Sequence, residues 1–261
     1  MHRNRTLLGV EVLESRTMPN VGPVPSPPPG TGGNVSVTLD GAGNLTVTGD
    51  SGNNRLAIWT INYSTSTIRV EGVGTTINGV SGFQDFSGVT GSVVINLGSG
   101  RDFIVLGDNT TDSNAQILAI SINLTVILGS GNDTVGLENL VVTGVTTIDA
   151  GAGHDLVDLD TTAPGPFPWG LSTTAFLGAC TVRAGTGSDT VSIEDCGFGV
   201  LAWATVSTGS GHDSVSVKNT IFLSGRTFDG GAGSDIFYGL SPVYGNTGIG
   251  LADLSKFETV H

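Results

Sequence analysis

The sequence predicts an all-β fold: a right-handed parallel β-helix, or β-solenoid, of about eight coils of 22–24 residues, with one Gly-x-Gly-x-Asp turn in each coil. Three observations predict it. A glycine- and aspartate-containing phrase recurs along the chain, apolar residues alternate on both sides of it, and no segment longer than about two turns has a helical period. Glycine makes up 41 of the 261 residues without the every-third-residue period of collagen.

The repeated phrase places glycines four and two positions before an aspartate, as in Gly129-Ser130-Gly131-Asn132-Asp133. An apolar residue stands seven positions before the aspartate and another stands two positions after it in every copy. A weaker copy is centred on Asn54. Such regular recurrence indicates that each copy occupies the same place in a stacked coil. The aspartates of the six full copies are Asp102, Asp133, Asp155, Asp189, Asp213 and Asp235.

The spacing of these aspartates sets the size of one coil. They are 31, 22, 34, 24 and 22 residues apart, and the 48 residues between Asn54 and Asp102 predict a degenerate coil near residues 75–88. Each coil is expected to supply one strand before the turn, one after it, and a third, less regular segment that returns to the start. Alternate apolar residues then point inward and stack on the next coil. The residues expected to face outward include Thr134, Gly136, Asp158, Ser192, Ser214 and Ser216.

The glycines and the aspartate of the turn have different physical explanations. A sharp turn between strands needs positive φ, which glycine adopts without penalty, and stacked turns about 4.8 Å apart leave little room for a Cβ. Two interpretations of the aspartate stay open. It caps the turn by accepting backbone N–H bonds, or the column binds a cation, because six stacked carboxylates repel one another and no Lys or Arg recurs beside them. Calcium suits carboxylate and carbonyl oxygens best.

The last copy, residues 230–238 (GGAGSDIFY), resembles the nonapeptide of the hemolysin-type calcium-binding (RTX) repeat, G-G-x-G-x-D-x-U-x. The resemblance implies a parallel β-roll in which calcium binds between turns through the aspartate and turn carbonyls. The other five copies lack the first glycine, and one turn per 22–24 residues allows a single column of sites. The candidate calcium ligands are Asp102, Asp133, Asp155, Asp189, Asp213 and Asp235, with Asp213 and Asp235 the strongest.

The amino terminus differs in composition from the repeats. We expect an arginine-containing, export-like segment over 1–18, a Pro/Gly-rich linker over 19–34 and a single β-solenoid domain over 35–261. Residues 10–19 (VEVLESRTMP) resemble the segments that open many exported planctomycete proteins, which implies an extracellular or cell-surface location. The segment is not a standard secretory signal, because Glu11 and Glu14 interrupt its apolar run.

Net charge and the length of the apolar stretches narrow the classes of partner. A net charge of −13 argues against nucleic acid and anionic membranes. No apolar stretch approaches the roughly 18 residues needed to span a bilayer.

Cys180 and Cys196 lie 16 residues apart, less than one coil, and are expected to be buried small hydrophobes. A disulfide between them stays open as the less favoured alternative.

Two longer coils contain the candidate binding loops. Residues 107–114 form a polar loop, and residues 161–178 form a proline-stiffened loop with Phe167, Trp169 and Phe176. Exposed aromatic rings on a rigid loop stack on sugar rings or anchor proteins. Polysaccharides and other surface proteins are therefore the predicted partner classes, and the sequence leaves the oligomeric state open.

Two functions stay open. The favoured one is a non-catalytic exported or cell-surface β-solenoid with a structural or adhesive role, with calcium as an added stabiliser. The alternative is a polysaccharide-acting β-helix enzyme, a lyase or glycoside hydrolase. A glycosidase needs two carboxylates facing each other across a cleft, whereas the recurring acids here are all alike. No catalytic residue is predicted, and His154 and His212 occupy a turn position where exposed polar residues are expected.

Overall fold

The computed structural model describes residues 32–62, 64–107, 118–120, 123–160, 174–240 and 245–261. Its strands, in chain order, are β1 (Asn34–Leu39), β2 (Leu45–Thr48), β3 (Arg55–Asn62), β4 (Thr67–Ile77), β5 (Val80–Phe86), β6 (Val93–Asn96), β7 (Phe103–Gly107), β8 (Leu118–Ile120), β9 (Leu124–Ser130), β10 (Thr134–Glu138), β11 (Leu140–Val142), β12 (Thr146–Ala152), β13 (Leu156–Asp160), β14 (Thr174–Phe176), β15 (Cys180–Thr186), β16 (Thr190–Glu194), β17 (Cys196–Phe198), β18 (Ala204–Gly211), β19 (Ser214–Lys218), β20 (Ile221–Phe222), β21 (Arg226–Asp229), β22 (Ala232–Gly233), β23 (Ile236–Tyr238), β24 (Leu254–Ser255) and β25 (Thr259–Val260). A single 3-10 turn, Leu251–Asp253, is the one helical element of the described residues. Within those ranges no helix is long and apolar enough to cross a membrane.

The strands stack coil on coil in three parallel sheets, as the repeat predicts. The strands that follow each Gly-x-Gly-x-Asp turn form the first sheet, β3-β7-β10-β13-β16-β19-β23-β25. The strands that precede it form the second sheet, β2-β6-β9-β12-β15-β18-β21-β24. The third sheet, β8-β11-β14-β17-β20, is built from the segments expected to be irregular. The predicted all-β solenoid architecture is confirmed.

The core lies between the sheets and follows the predicted period of two. Val126 pairs with Ile148, and Val135 pairs with Val157, and all four side chains are fully buried. Toward the carboxyl end the core becomes aromatic: Phe198 stacks between Phe176 and Phe222, with ring centroids 5.2 and 4.7 Å away. Identical positions of successive coils therefore form continuous apolar columns, which is how a solenoid buries side chains that no single coil could cover.

The amino-terminal end departs from the expected coil. β4 pairs antiparallel with β3 and with β5, so the degenerate coil predicted near residues 75–88 is wrong. The reason is the pair Asn78-Gly79, whose φ values of 50° and 78° fit a two-residue hairpin turn. Eight coil levels are nevertheless present, because β24 and β25 form a last level at the carboxyl end.

Of the six residues expected to face outward, three are half-buried and three are buried. Gly136, Asp158 and Ser192 point away from the core of the first sheet but are buried. The alternation of residues along a strand determines to which face of the sheet a side chain points. It does not determine whether another segment covers that side.

The aromatic-loop prediction is partly outside the described residues and partly wrong. Phe167 and Trp169 fall within 161–173, and the polar loop falls within 107–114, of which only Gly107 is described. Phe176 belongs to β14 and is fully buried, because it occupies the core position in register with Val142. The export-like segment, and all of the predicted linker except residues 32–34, lie outside the described residues.

Candidate functional site: the aspartate ladder

The glycines of the repeated turn are required by both backbone conformation and space. Gly131 has a φ of 140°, and a Cβ added to it would lie 1.5 Å from the carbonyl oxygen of Gly100 in the preceding coil. Gly129 has a φ of 105°, and a Cβ added to it would lie 1.8 Å from the carbonyl oxygen of Gly98. The predicted role of the glycines is therefore confirmed, and the turns stack with their backbones in direct contact.

The six predicted aspartates lie next to one another in successive coils, and each is at most 3% exposed. Each carboxylate Oδ1 accepts the backbone N–H of the equivalent residue one coil earlier. The donors and distances are Asn54 to Asp102, 2.7 Å; Asp102 to Asp133, 2.7 Å; Asp133 to Asp155, 2.8 Å; Asp155 to Asp189, 2.8 Å; Asp189 to Asp213, 2.8 Å; and Asp213 to Asp235, 2.9 Å. We call this column the aspartate ladder.

Two further residues terminate the ladder. Asn54 begins it with its backbone N–H, as its weak copy of the phrase suggests. At the other end the N–H of Asp235 donates to a carboxylate oxygen of Glu258. The sequence analysis missed Glu258, although its spacing of 23 residues from Asp235 fits the coil length and could have identified it.

The second oxygen of each ladder carboxylate is buried without a hydrogen bond. None of the six Oδ2 atoms has a partner among the described residues. In the last full turn, a Cβ built on Gly230 would lie 3.0 Å from Asp235 Oδ2, so this oxygen faces the position five residues before the aspartate. In the other turns that position is filled by buried Leu97, Leu128, Ala150, Ala184 and Thr208. The ladder therefore turns one oxygen per level toward largely apolar surroundings.

Such surroundings favour the neutral carboxylic acid. Burial raises the pKa of Asp102 and the pKa of Asp155 from the ordinary 3.8 to about 7, and neighbouring ladder carboxylates add to the shift. Burial also raises the pKa values of Asp133, Asp189 and Asp213, opposed by the N–H bond that each receives. The ladder thus holds several carboxyl groups that gain a proton far more readily than exposed aspartates do.

Asn54 shows what a neutral donor does at the same position. Its side-chain Nδ2 donates to the carbonyl of Gly52, 3.0 Å away, and toward the carbonyl of Leu97 in the next coil, 3.4 Å away. By register, the carbonyls of Gly153 and Ala184 occupy the same places beside Asp155. An Oδ2 that bears a proton can donate to such a carbonyl, whereas an ionised Oδ2 cannot.

A second ladder runs beside the first on the exposed side of the turns. The Oδ1 of Asn132 accepts the N–H of His154, the Nδ1 of His154 accepts the N–H of Ser188, and the Nδ1 of His212 accepts the N–H of Ser234. Both histidines are exposed, as expected. Because each Nδ1 accepts a hydrogen bond, each neutral ring has its proton on Nε2. These side chains therefore cap the backbone as well.

The donor set of the aspartate ladder fits calcium poorly. Calcium takes six to eight oxygen ligands, whereas each level offers one carboxylate whose Oδ1 already accepts an N–H and whose Oδ2 is sealed from solvent. Among the described residues, no group of three or more His, Cys, Asp or Glu side chains is arranged to hold a metal ion. The geometry fits the turn-cap interpretation, and calcium binding at the six aspartates stays an untested prediction.

A separate row of acids lies on the outer face of the first sheet. Asp160 pairs in register with Glu138 on one side and follows the same register as Glu194 on the other. Beside this row, Asp158 has its pKa raised to about 7, first by burial and then by the charges of Asp160 and Glu194. Lys218 continues the row and lies 3.3 Å from Glu194. Sequence reasoning missed this row of acids, although each of them stands three or five positions after a turn aspartate.

The cysteines follow the favoured expectation. Cys180 and Cys196 are free and at most 2% exposed. Burial raises the pKa of the Cys180 thiol to about 12. Both thiols therefore behave as small core residues.

Comparison with protein-family models, with curated proteins and with solved structures finds no match for the chain.

Proposed function

We propose that this protein is a non-catalytic β-solenoid that acts as a structural or adhesive element outside the cell or at the cell surface. One observation carries the proposal: every ladder carboxylate is buried and binds the backbone of the neighbouring coil. The most regular feature of the chain thereby serves to hold adjacent coils together. A carboxylate sealed inside the fold is not available to a substrate.

The proposed location rests on the charge of the chain and on its amino-terminal segment. The chain carries a net charge of −13, which favours solubility and disfavours nucleic acid, and its first residues resemble exported segments. Fractionation of cells that express the full chain tests this part. Recovery of the protein in the medium or on protease-accessible surfaces is expected, and an exclusively protease-protected protein contradicts the location.

The alternative, a polysaccharide-cleaving enzyme, is favoured by one observation, the acid row. Asp158, with its raised pKa, lies next to the more exposed Asp160 and near Glu194. A neutral acid beside an ionised carboxylate is the pairing that glycoside hydrolysis uses. In the structure, however, Asp158 is only 7% exposed, which leaves little access for a sugar chain.

The two functions are separated by assays for reducing sugars and unsaturated products on a panel of acidic and neutral polysaccharides. The structural proposal predicts no product. Product formation that is lost in Asp158→Asn and kept in Asp149→Asn, a change on the outer face of β12 in the second sheet, would overturn it. Product formation that both variants retain would also overturn it, and would place catalysis elsewhere in the chain.

A further inference from the structure

One side of the solenoid exposes an unusual concentration of large apolar side chains. Six of the ten large hydrophobic residues that are exposed in the described ranges lie in the corner between the third and the second sheet. They are Val145, Leu177, Val200, Leu201, Trp203 and Leu223, with exposures from 47 to 80%. Exposed hydrophobic residues scattered singly need no explanation, but a contiguous group marks an interaction surface.

The group is contiguous because it crosses four successive coils. The corner consists of residues 143–145, 177–179, 199–203 and 223–225, each placed between paired strands. A Cβ on Gly199 would lie 3.4 Å from a methyl of Leu177, and a Cβ on Gly225 would lie 2.4 Å from the ring of Trp203. Side chains of one coil thus pack on the glycine backbone of the next. We call these four segments the apolar corner.

The most exposed part of the corner is an insertion. Three coils use three residues to turn from the third sheet into the second, whereas residues 199–203 use five. The additional length projects Val200 and Leu201, which are 69 and 80% exposed. It is held in place by the N–H of Ala202, which donates to the carbonyl of Gly199 at 3.0 Å, and by the burial of the Ala202 side chain. An ordered Val-Leu projection adds nothing to the core of its own chain.

The apolar corner contains no charged residue, and the Arg226 guanidinium that donates to the carbonyl oxygen of Ser224 at 3.0 Å is paired with Asp253. None of its residues is Asp, Glu, Lys, Arg or His, and the outward residues of the adjoining third sheet, Val141, Ala175, Gly197 and Ile221, are uncharged as well. The chain as a whole has a net charge of −13. Two copies therefore repel one another through their other faces and can approach closely where both surfaces are neutral.

We propose that the apolar corner and the outer face of the third sheet bind the same surface of a second copy of this chain, side by side. This inference deepens the structural role proposed above and rests on it. The partner is a second copy because this uncharged surface is where two chains of net charge −13 can meet without mutual repulsion, and a two-fold contact brings the same surface of each copy together. The projection of each copy then packs beside the Trp203 ring of the other.

The size of the surface sets the strength of the contact. The patch is four coils long, with about 4.8 Å between neighbouring coils, and about six residues wide, with a rise of about 3.3 Å per residue. Its area is therefore roughly 400 Å² on each copy. The total of roughly 800 Å² is below the standard protein–protein interface of about 1,600 Å². Association is therefore weak and concentration-dependent, and it becomes effective where many copies are held close together.

Sedimentation velocity of the full chain, from micromolar to submillimolar concentration and at low and high salt, tests the proposal. We expect the average sedimentation coefficient to rise with concentration, and to rise more in high salt, because screening weakens the repulsion between acidic copies. Leu201→Asp is expected to weaken association at least about tenfold, since it places a charge at the centre of the contact. Val80→Asp, at another exposed apolar residue, which lies in β5 outside the corner, is the matched control and leaves association unchanged.

Three results would overturn the proposal. The first is a chain that stays monomeric at every concentration. The second is a Val80→Asp variant whose association is weakened as much as that of Leu201→Asp. The third is a monomeric chain that binds uncharged lipid vesicles through Leu201, because a lipid surface would then be the occupant of the corner. Circular dichroism confirms that each variant is folded. Polysaccharide cleavage refutes the structural function and leaves the self-association result standing, so the two failures are distinguishable.

Discussion

The backbone N–H of Asp133 donates to the Oδ1 of Asp155, 2.8 Å away in the next coil. It is one of six equivalent bonds between Asn54 and Asp235. Each bond satisfies a buried N–H that faces no strand partner at the turn, and a charged or partly charged acceptor makes it stronger than a neutral pair. The same aspartate that the repeat marks as a ligand candidate thereby holds adjacent coils together.

Removal of one ladder carboxyl is expected to destabilise the solenoid. Asp155→Ala leaves the N–H of Asp133 buried without an acceptor, which costs about 1–3 kcal/mol of unfolding free energy. Urea denaturation followed by circular dichroism measures this loss. Asp149→Ala, on the outer face of β12, is the control and should change stability by less than about 0.5 kcal/mol. Equal effects of the two substitutions would contradict the role of the ladder.

Replacement by asparagine is expected to act in the opposite direction. Asp155→Asn keeps the Oδ1 acceptor and puts an amide where Oδ2 has no partner, as Asn54 does with the carbonyls of Gly52 and Leu97. Near neutral pH we expect the free energy of unfolding of Asp155→Asn to exceed that of the natural chain by on the order of 1 kcal/mol, the contribution of one satisfied buried hydrogen bond. A variant that melts below the natural chain at neutral pH would show that the ionised carboxylate is needed.

The ladder makes stability depend on pH. Folding raises the pKa of Asp102 and of Asp155 from the ordinary 3.8 to about 7, so the folded state binds more protons than the unfolded state between these values. Their contribution is fully present below about pH 4 and is lost as the pH rises through about 7. The melting temperature of Asp155→Asn minus that of the natural chain should therefore increase from about pH 5 to about pH 8. A constant difference across this range contradicts the assignment.

The turn glycines give a prediction about backbone geometry. Gly131→Ala places a Cβ 1.5 Å from the carbonyl of Gly100 and forces an alanine to a φ of 140°, so we expect a loss of ~3 kcal/mol or more. Gly41→Ala, where an added Cβ meets nothing within 4 Å, should be nearly neutral. Thermal unfolding of the two variants makes the comparison, and similar melting temperatures would refute it.

The repeat made the coils and the turn predictable because it places the same residue types at the same positions in every coil. The period of two locates Val126 and Val135 in the core, and the Gly-x-Gly-x-Asp phrase locates the ladder. The hairpin at Asn78-Gly79 was readable from that dipeptide, and Glu258 was readable from its spacing. For the hairpin, the expectation of another regular coil took precedence over the local signal; for Glu258, Leu254 and Lys256 stand where the other copies have the two turn glycines, so the phrase does not mark it.

Other features depend on contacts that a single strand does not encode. Asp158 lies on the side of β13 that alternation places outside, and its burial depends on what covers the sheet. The apolar corner escaped notice because the third segment of each coil is too short to show a period. The protonation state of the ladder depends on residues five positions earlier, which only the stacked turn brings toward Oδ2.

The central claim is that the six aspartates cap the backbone, and thermal melting with circular dichroism in chelator, calcium and magnesium tests it most directly. Near neutral pH we predict that the natural chain is fully β in chelator, melts at the same temperature with either ion, and melts below Asp155→Asn in all three conditions. A ligand that binds only the folded state raises stability by about 2.7 kcal/mol at a hundredfold excess over Kd. A chain that needs calcium to fold, or a calcium-dependent rise in melting temperature that Asp155→Asn or Asp235→Ala abolishes, would contradict the account.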